Sequence, residues 1–217
     1  MSHEWIRVSC AALCRIEHLG RFLLLLNHNR HHKGVYVLSP VGGALGLDDP
    51  ARLADFNARL EDPARNELRL TMPRDALPRF REWFYRGEER ERSPFRELYE
   101  ELVVESALLP ALTPEDVAIT RLWTVEEESL TDRRGQTGIL THYFLEIHGV
   151  TFKTGATLGP LLGVPPDRGA IWLTAEQIGP RGAKPLIQLE IDGERRDVRV
   201  NGSLIAHPPK TAPENAG

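Results

Sequence analysis

Apolar residues near the N-terminus of the chain form two runs that predict β-strands. Residues 5–16 are rich in Val, Ile and small residues, and residues 21–28 contain a continuous apolar run at 22–26. The two segments are separated by a turn at 18–20. Apolar runs bounded by turn residues are typical of strands. We therefore predict an N-terminal β-hairpin whose second strand is buried on both faces.

A helix is predicted over residues 93–105. Ser93 is a favourable N-cap residue, and Pro94 suits the first helical position, where its missing N–H has no cost. At 100° per residue, the apolar side contains Phe95, Leu98, Tyr99, Leu102 and Val103. The opposite side contains Arg96, Glu97, Glu100 and Glu101. One face is thus expected to pack against a core while three carboxylates crowd together on the other.

Further patterns extend the mixed α/β prediction. The predicted helices are residues 53–60 and 75–85, and the predicted strands are residues 66–72, 117–125 and 139–148. The last two strands would pair as a long hairpin. Residues 170–178 predict a strand that leads into a short final helix. Asp192-Gly193 and Asn201-Gly202 predict two small hairpins, and the polar tail at 208–217 is expected to be disordered.

Aromatic and basic residues cluster just before the acidic helix. Trp83, Phe84 and Tyr85 are consecutive, and they would either pack in a core or form a platform on which a base stacks. Arg86 and Arg92 follow, and their guanidinium groups could bind substrate phosphates. They could equally belong to a solvated turn.

Composition adds few constraints. The chain has 217 residues, of which 41% are hydrophobic and 27% charged, which suits one globular domain with an inserted element. The net charge of −4 gives no argument for binding bulk nucleic acid. Cys10 and Cys14 are too far apart on a strand to form a disulfide, and we expect both in the core. Without a signal peptide or a long apolar stretch, a cytoplasmic protein is expected.

The acidic face of the predicted helix has two interpretations. Glu97 lies three and four residues before Glu100 and Glu101, and like charges at these spacings destabilise a helix by roughly 0.2–0.5 kcal/mol per pair. A divalent cation would remove this repulsion, because Mg²⁺ prefers carboxylate oxygens. The alternative is a solvated acidic face without a ligand.

The stretch Arg96-Glu97-Leu98-Tyr99-Glu100-Glu101 matches the pattern Arg-Glu-apolar-x-Glu-Glu at the centre of the Nudix box. The chain resembles a Nudix domain here and at Pro40-Val41-Gly42-Gly43, a strand end of the kind that leads into the box. It departs from the common form in three ways. Gly43 precedes Arg96 by many more residues than the first glycine of the box does. Glu82 and Val103 stand at positions where the box has a glycine.

The order of these segments resembles one Nudix branch, the SMODS-associated Nudix domains, which are linked to bacterial antiphage nucleotide signalling. The likeness covers roughly residues 5–180. It implies a single domain over residues 1–207 with the α/β fold of a Nudix protein, a mixed β-sheet sandwiched between helices. Residues 45–92 would form an inserted α+β element, and the C-terminus would add a β-rich extension.

The resemblance implies an Mg²⁺- or Mn²⁺-dependent hydrolase that cleaves a diphosphate linkage in a nucleoside diphosphate derivative. Carboxylate-bound metal suits this chemistry because it can activate water and neutralise phosphate charge. The implied metal ligands are Glu97, Glu100 and Glu101. The implied catalytic residues are Glu100, Glu101 and Arg96. The expected substrate-binding residues are Gly42, Gly43, Arg86 and Arg92. The general base is left open between Glu101 and the acidic run Glu126, Glu127 and Glu128.

A second hypothesis is a catalytically degenerate Nudix-like sensor that binds a nucleotide second messenger without cleaving it. Val103 and the displaced glycine pair would then spoil the geometry that presents the diphosphate to the metal. A third hypothesis, a purely structural domain, predicts no nucleotide affinity. The first two share a small nucleotide as partner rather than bulk nucleic acid or a membrane, and the sequence admits a homodimer.

Overall fold

The computed structural model describes residues 4–27, 34–131 and 137–209, and these form a mixed α/β structure, as predicted. Within them the strands are β1 (Trp5–His18), β2 (Arg21–Leu26), β3 (Val37–Ser39), β4 (Gly42–Ala44), β5 (Arg59–Leu60), β6 (Arg69–Pro73), β7 (Val117–Leu130), β8 (Leu140–Phe152), β9 (Ala170–Thr174), β10 (Leu186–Ile191) and β11 (Glu194–Val200). The α-helices there are α1 (Leu77–Arg86), α2 (Phe95–Tyr99), α3 (Gly155–Leu162), α4 (Ala175–Ile178) and α5 (Ser203–Ala206). A π-helical segment, Glu100–Glu105, directly follows α2. Short 3₁₀ segments lie at Pro50–Phe56, Arg74–Ala76, Pro114–Asp116 and Pro166–Arg168. Most of the tail predicted to be disordered, from residue 210 onward, lies outside the described residues.

The chain divides into two compact units, and residues of β1, β4, β7 and β8 contribute to both. The first unit comprises the described residues of Met1–Ala12, Gly43–Pro94 and Thr124–Glu146. The second comprises those of Leu13–Gly42, Phe95–Trp123 and Ile147–Gly217.

The first unit contains an antiparallel sheet and the aromatic helix α1. β6 pairs with the start of β1 from Trp5 opposite Pro73 to Ser9 opposite Arg69, and β5 pairs with β6. The helix predicted at 53–60 is wrong. A 3₁₀ segment ends at Phe56, the next residue, Asn57, has a left-handed φ of 50°, and β5 follows. The chain therefore returns to the sheet where a helix was expected.

The aromatic residues of α1 pack in the core of the first unit. Trp83 is 1% exposed and Phe84 is fully buried. The ring centroids of Phe80 and Trp83 are 5.2 Å apart, and those of Phe84 and Phe144 are 4.7 Å apart. Of the two interpretations of this cluster, core packing holds for Trp83 and Phe84. Tyr85 is different, because it is 41% exposed and its hydroxyl donates to Glu126.

The second unit contains a mixed sheet around β2. β2 pairs antiparallel with β9 and β3, β3 pairs in parallel with β11, and β11 forms an antiparallel hairpin with β10. Every residue from Phe22 to Leu26 is buried, which confirms the prediction of a strand covered on both faces. Cys14 is buried and free in this unit, as Cys10 is in the other, so both cysteines are core residues as predicted.

The C-terminal part of this unit confirms one predicted hairpin and overturns the other. Asp192 and Gly193 join β10 and β11 with φ values of 55° and 76°, which suit a tight hairpin turn. Asn201-Gly202 instead precedes the short helix α5. The strand and final helix predicted at 170–178 are confirmed as β9 and α4, joined by a capping box at Thr174. In the part of the chain that the structure describes, no helix has both the length and the apolar character needed to cross a membrane.

Candidate active site

The predicted acidic helix changes its geometry at the glutamate pair. The α-helical part ends at Tyr99, and Glu100–Glu105 is π-helical. The amide of Ser106 donates to the carbonyl of Glu101, five residues earlier, at 3.1 Å. The prediction of one continuous α-helix over 93–105 is therefore wrong in its second half. Single π-turns within helices occur frequently at functional sites.

Only part of the predicted apolar side of this segment is buried. Leu98 and Leu102 are fully buried, whereas Tyr99 is 40% exposed. The acidic residues do not share one solvated face either, because the Glu97 side chain is 13% exposed and the Glu100 side chain is 46% exposed.

Arg96 pairs with two of the predicted carboxylates. Its Nη1 lies 2.7 Å from Oε1 of Glu97 and 3.4 Å from Oε2 of Glu100. The Glu100 side chain is nearly half exposed, and that of Glu97 is largely buried. Arg96 thus holds Glu97 closely and Glu100 more loosely.

Glu101 occupies a different environment. Its Oε2 accepts a hydrogen bond from the backbone N–H of Gly42 at 3.3 Å. The pKa of Glu101 is raised to about 8, mainly by burial and also by the neighbouring carboxylates Glu97, Glu105 and Glu100, against a lowering by the Gly42 N–H. Burial and the same helix's Glu101 and Glu97 also raise the pKa of the Cys14 thiol. The ionised form of Glu101 is therefore disfavoured unless a cation offsets the burial and the neighbouring carboxylates.

A cavity of about 250 Å³ lies beside Glu101, and all its lining residues belong to the second unit. Two acidic residues, Glu101 and Glu105, line it. Its apolar lining residues are Leu13, Leu25, Leu26 and Leu204. The remaining lining residues are Asn27, Ser39, Pro40, Gly42, Ser106 and Asn201. The cavity thus combines carboxylates, leucines and two carboxamides in its lining.

Comparison with known proteins assigns the family. The family model described as the SMODS-associated NUDIX domain matches residues 5–191. The chain belongs to the SMODS-associated NUDIX family. No curated protein and no solved structure matches the sequence. The resemblance seen in the acidic helix and the glycine pair is therefore confirmed at the level of the family.

The matched range of this SMODS-associated NUDIX domain ends inside the C-terminal hairpin. It includes the acidic segment and Gly42, but β11 and α5 lie beyond Ile191. Asn201 and Leu204, which line the cavity, are therefore contributed by sequence outside the family match.

The other residues predicted to bind substrate lie in the first unit of the NUDIX chain and do not line this cavity. Gly43 follows Gly42 in β4. Arg86 lies 3.7 Å from the carboxylate of Glu88. Arg92 donates to the backbone carbonyls of Gly87 and Arg86, the latter at 3.3 Å. Both guanidinium groups thus contact their own loop.

The acidic run considered for the general base also lies in the first unit. Glu126 accepts hydrogen bonds from Arg81 at 2.9 Å and from Tyr85 at 2.8 Å. Glu128 accepts from Arg74 at 3.1 Å. These two carboxylates are therefore occupied in ion pairs and hydrogen bonds of that unit.

Two sets of residues that line the cavity of the NUDIX domain were not predicted from the sequence. Glu105 follows Glu101 by four residues, so a search for carboxylates on the same side of a helix would have found it. Asn27 and Asn201 lie far apart in the chain, and only the pairing of β2 and β11 with β3 brings their strand ends together. No local pattern indicates that juxtaposition.

The donor set of the NUDIX cavity fits Mg²⁺ or Mn²⁺. Mg²⁺ takes one or two protein carboxylates and completes its octahedron with water and substrate phosphates. Glu101 and Glu105 supply two carboxylates to one cavity, and a cation there would favour their ionised form. Among the described residues, no group of three or more His, Cys, Asp or Glu side chains is arranged to hold a metal. The predicted trio Glu97, Glu100 and Glu101 stays a prediction.

Proposed function

We propose that this SMODS-associated NUDIX domain is a metal-dependent hydrolase that cleaves a diphosphate linkage in a nucleoside diphosphate derivative. The observation that carries the proposal is the position of the Glu101 carboxylate. Glu101 lines a cavity of about 250 Å³, and its carboxylate accepts a hydrogen bond from the Gly42 amide. Carboxylates beside a cavity are the protein groups that a phosphate-bound Mg²⁺ requires.

The residues of the site would have distinct roles. Glu101 and Glu105 would hold the cation, which supplies charge neutralisation and an activated water when bound. The Gly42 N–H orients the Glu101 carboxylate through its hydrogen bond. Arg96 positions the carboxylates of Glu97 and Glu100 next to the cavity residues. Glu101, or Glu105 beside it, is the group in the cavity able to accept a proton from water.

Phosphorus NMR with a panel of nucleotides tests the proposal. The protein is incubated with Mg²⁺ or Mn²⁺ and nucleoside triphosphates, nucleotide sugars, dinucleoside polyphosphates or cyclic oligonucleotides. The family's link to antiphage nucleotide signalling is the reason for including the cyclic compounds. We expect cleavage of a diphosphate linkage that is lost in Glu101→Gln. Glu190→Gln, which neutralises an exposed glutamate of β10, is the matched control and should retain activity.

A nucleotide sensor is the second candidate. One feature of the sequence favours it, namely Val103 in the place where the common Nudix box has a glycine. A sensor would bind a nucleotide of the panel and leave its phosphorus spectrum free of products. If no compound of the panel is cleaved or bound, both candidates are contradicted.

A further inference from the structure

The C-terminal segment that follows β11 forms part of the cavity. β11 pairs in parallel with β3, with Arg199 opposite Val37 and Val200 opposite Leu38. The backbone N–H of Asn201 continues this ladder by donating to the carbonyl of Leu38 at 2.8 Å. Asn201 therefore lies level with Ser39, the next residue of β3.

Packing fixes Asn201 in this position. A Cβ atom added to Gly202 would lie 3.0 Å from Leu24 Cδ1 and 3.4 Å from Ile178 Cγ2, so the chain passes closely over the core there. Ile205 and Ala206 of α5 are buried directly afterwards. The backbone that carries Asn201 is therefore held against the core, while the Asn201 residue itself is exposed and able to meet a ligand.

Neighbouring strands place a row of three residues along one side of the cavity. Leu25 of β2 pairs with Ser39 of β3, and Asn201 follows on the other side of Ser39. Adjacent strands are about 4.8 Å apart, so the row spans roughly 10 Å. Asn27 and Leu204 also line the cavity. A lining that combines leucines with carboxamides suits a flat, uncharged heterocycle with hydrogen-bonding edges.

A carboxamide is selective for particular base edges. It carries one acceptor oxygen and two N–H donors. Adenine presents a donor at N6 beside an acceptor at N7, and Asn or Gln binds this pair in bidentate fashion. On the same edge hypoxanthine has acceptors at both position 6 and N7, so a carboxamide bound to that edge cannot pair with both atoms at once.

We propose that Asn201 is a specificity-determining residue that binds the N6/N7 edge of the base of an adenine nucleotide in this cavity. The inference rests on the proposed function, because it takes the ligand to be a nucleotide. It goes beyond that function by naming the base and by assigning its recognition to a segment outside the family match, which ends at residue 191.

Binding of AMP and IMP tests the assignment. Neither compound contains a diphosphate linkage, so affinity can be measured by calorimetry in the presence of Mg²⁺ without turnover. We expect AMP to bind the unmodified chain roughly 5- to 150-fold more tightly than IMP, the range for a bidentate base contact. In Asn201→Ala the ratio should fall to about one, and Asn201→Asp, which keeps the shape but loses the N–H₂ donors, should also lower it.

Gln188→Ala provides the matched control. Gln188 is an exposed carboxamide of β10 whose Nε2 donates to Asp197, and it does not line the cavity. Its removal should leave the AMP-to-IMP ratio unchanged. Equal thermal unfolding of the Asn201 and Gln188 variants would show that a changed ratio does not reflect misfolding.

The outcomes separate this inference from the proposed function. A preference for AMP that persists in Asn201→Ala, or equal affinity of the unmodified chain for AMP and IMP, overturns the role of Asn201 and leaves hydrolysis intact. Absence of both nucleotide binding and diphosphate cleavage in the unmodified chain overturns the proposed function, and the role of Asn201 with it.

Discussion

The Oε2 atom of Glu101 lies 3.3 Å from the backbone nitrogen of Gly42, a residue 59 positions earlier in the sequence. This contact joins the start of β4 to the π-helical segment. It also distinguishes Glu101 from Glu97 and Glu100, whose carboxylates pair with Arg96 instead. Position in the fold thus separates carboxylates that look equivalent in the motif.

The first prediction concerns this difference between Glu101 and Glu100. Glu101→Gln should weaken Mn²⁺ binding by at least about tenfold, because loss of a direct ligand should cost no less than loss of an outer hydrogen bond to one. Glu100→Gln should have a smaller effect, because the Glu100 side chain is 46% exposed and paired with Arg96. The loss of the free Mn²⁺ signal in electron paramagnetic resonance measures both affinities. Equal weakening in the two variants would contradict the ranking.

The second prediction concerns the backbone at Gly42. Its φ of 147° lies in a region that residues with a Cβ rarely adopt. Gly42→Ala should lower the free energy of unfolding by about 1–3 kcal/mol through backbone strain. It should also weaken Mn²⁺ binding, because the N–H that orients Glu101 would move. Urea denaturation and the Mn²⁺ titration measure the two effects.

Gly155→Ala is the control for this substitution. Gly155 opens α3 at an ordinary φ, and a Cβ there would meet no atom within 4 Å. Alanine in that position should leave both stability and metal affinity essentially unchanged. If Gly42→Ala behaves in the same way, the strain argument is wrong.

Elements with strong local patterns were predictable from the sequence. The continuous apolar run of β2 and the Thr174 capping box before α4 depend on neighbouring residues alone. The predicted helix at 53–60 failed because Pro50, following the Asp49 cap, starts a 3₁₀ segment earlier and Asn57 stops it. Propensity does not distinguish a short 3₁₀ segment from a short α-helix.

The candidate site was predictable only where the motif is local. The acidic stretch indicated Glu101, and the glycine pair indicated Gly42, but nothing in the sequence indicated that these two are hydrogen-bonded. The contribution of Asn201 depends on the parallel pairing of β11 with β3. Such pairing joins distant segments, and periodicity within either segment contains no information about it.

The third prediction concerns a buried ion pair in the first unit. Arg90 Nη2 lies 2.8 Å from Glu146 Oε1, and each side chain is 1% exposed. The guanidinium also donates to the Phe84 carbonyl at 2.7 Å and lies over the Phe84 ring. Glu146→Gln should lower the free energy of unfolding by about 3–5 kcal/mol, because it leaves a buried positive charge without its counter-ion. Urea denaturation measures the change.

The exposed pair between Arg86 and Glu88 offers the control. Both side chains are 57% exposed, and the charged atoms are 3.7 Å apart. Glu88→Gln should therefore change the free energy of unfolding by less than about 1 kcal/mol. Similar losses in Glu88→Gln and Glu146→Gln would show that burial does not determine the cost.

The fourth prediction concerns stability in acid. His142 lies between two carboxylates, with Nε2 3.1 Å from Glu126 and Nδ1 3.3 Å from Glu128. Burial raises the pKa of Glu126, but hydrogen bonds from Tyr85, Arg81 and His142 outweigh this effect and hold the pKa below its usual 4.5. The pKa of Glu128 is lowered mainly by the hydrogen bond with His142 and also by Arg74.

A carboxyl group with a lowered pKa in the folded state binds fewer protons there than in the unfolded chain. Its stabilising contribution is present above the unfolded pKa of about 4.5 and is lost as the pH falls through the folded pKa. The free energy of unfolding should therefore fall below about pH 4.5. In the double variant Glu126→Gln/Glu128→Gln this fall should be shallower, whereas Glu190→Gln should follow the unmodified chain. Urea denaturation at a series of pH values measures the slopes, and equal slopes in all three proteins would exclude the His142 cluster as a source of the acid sensitivity.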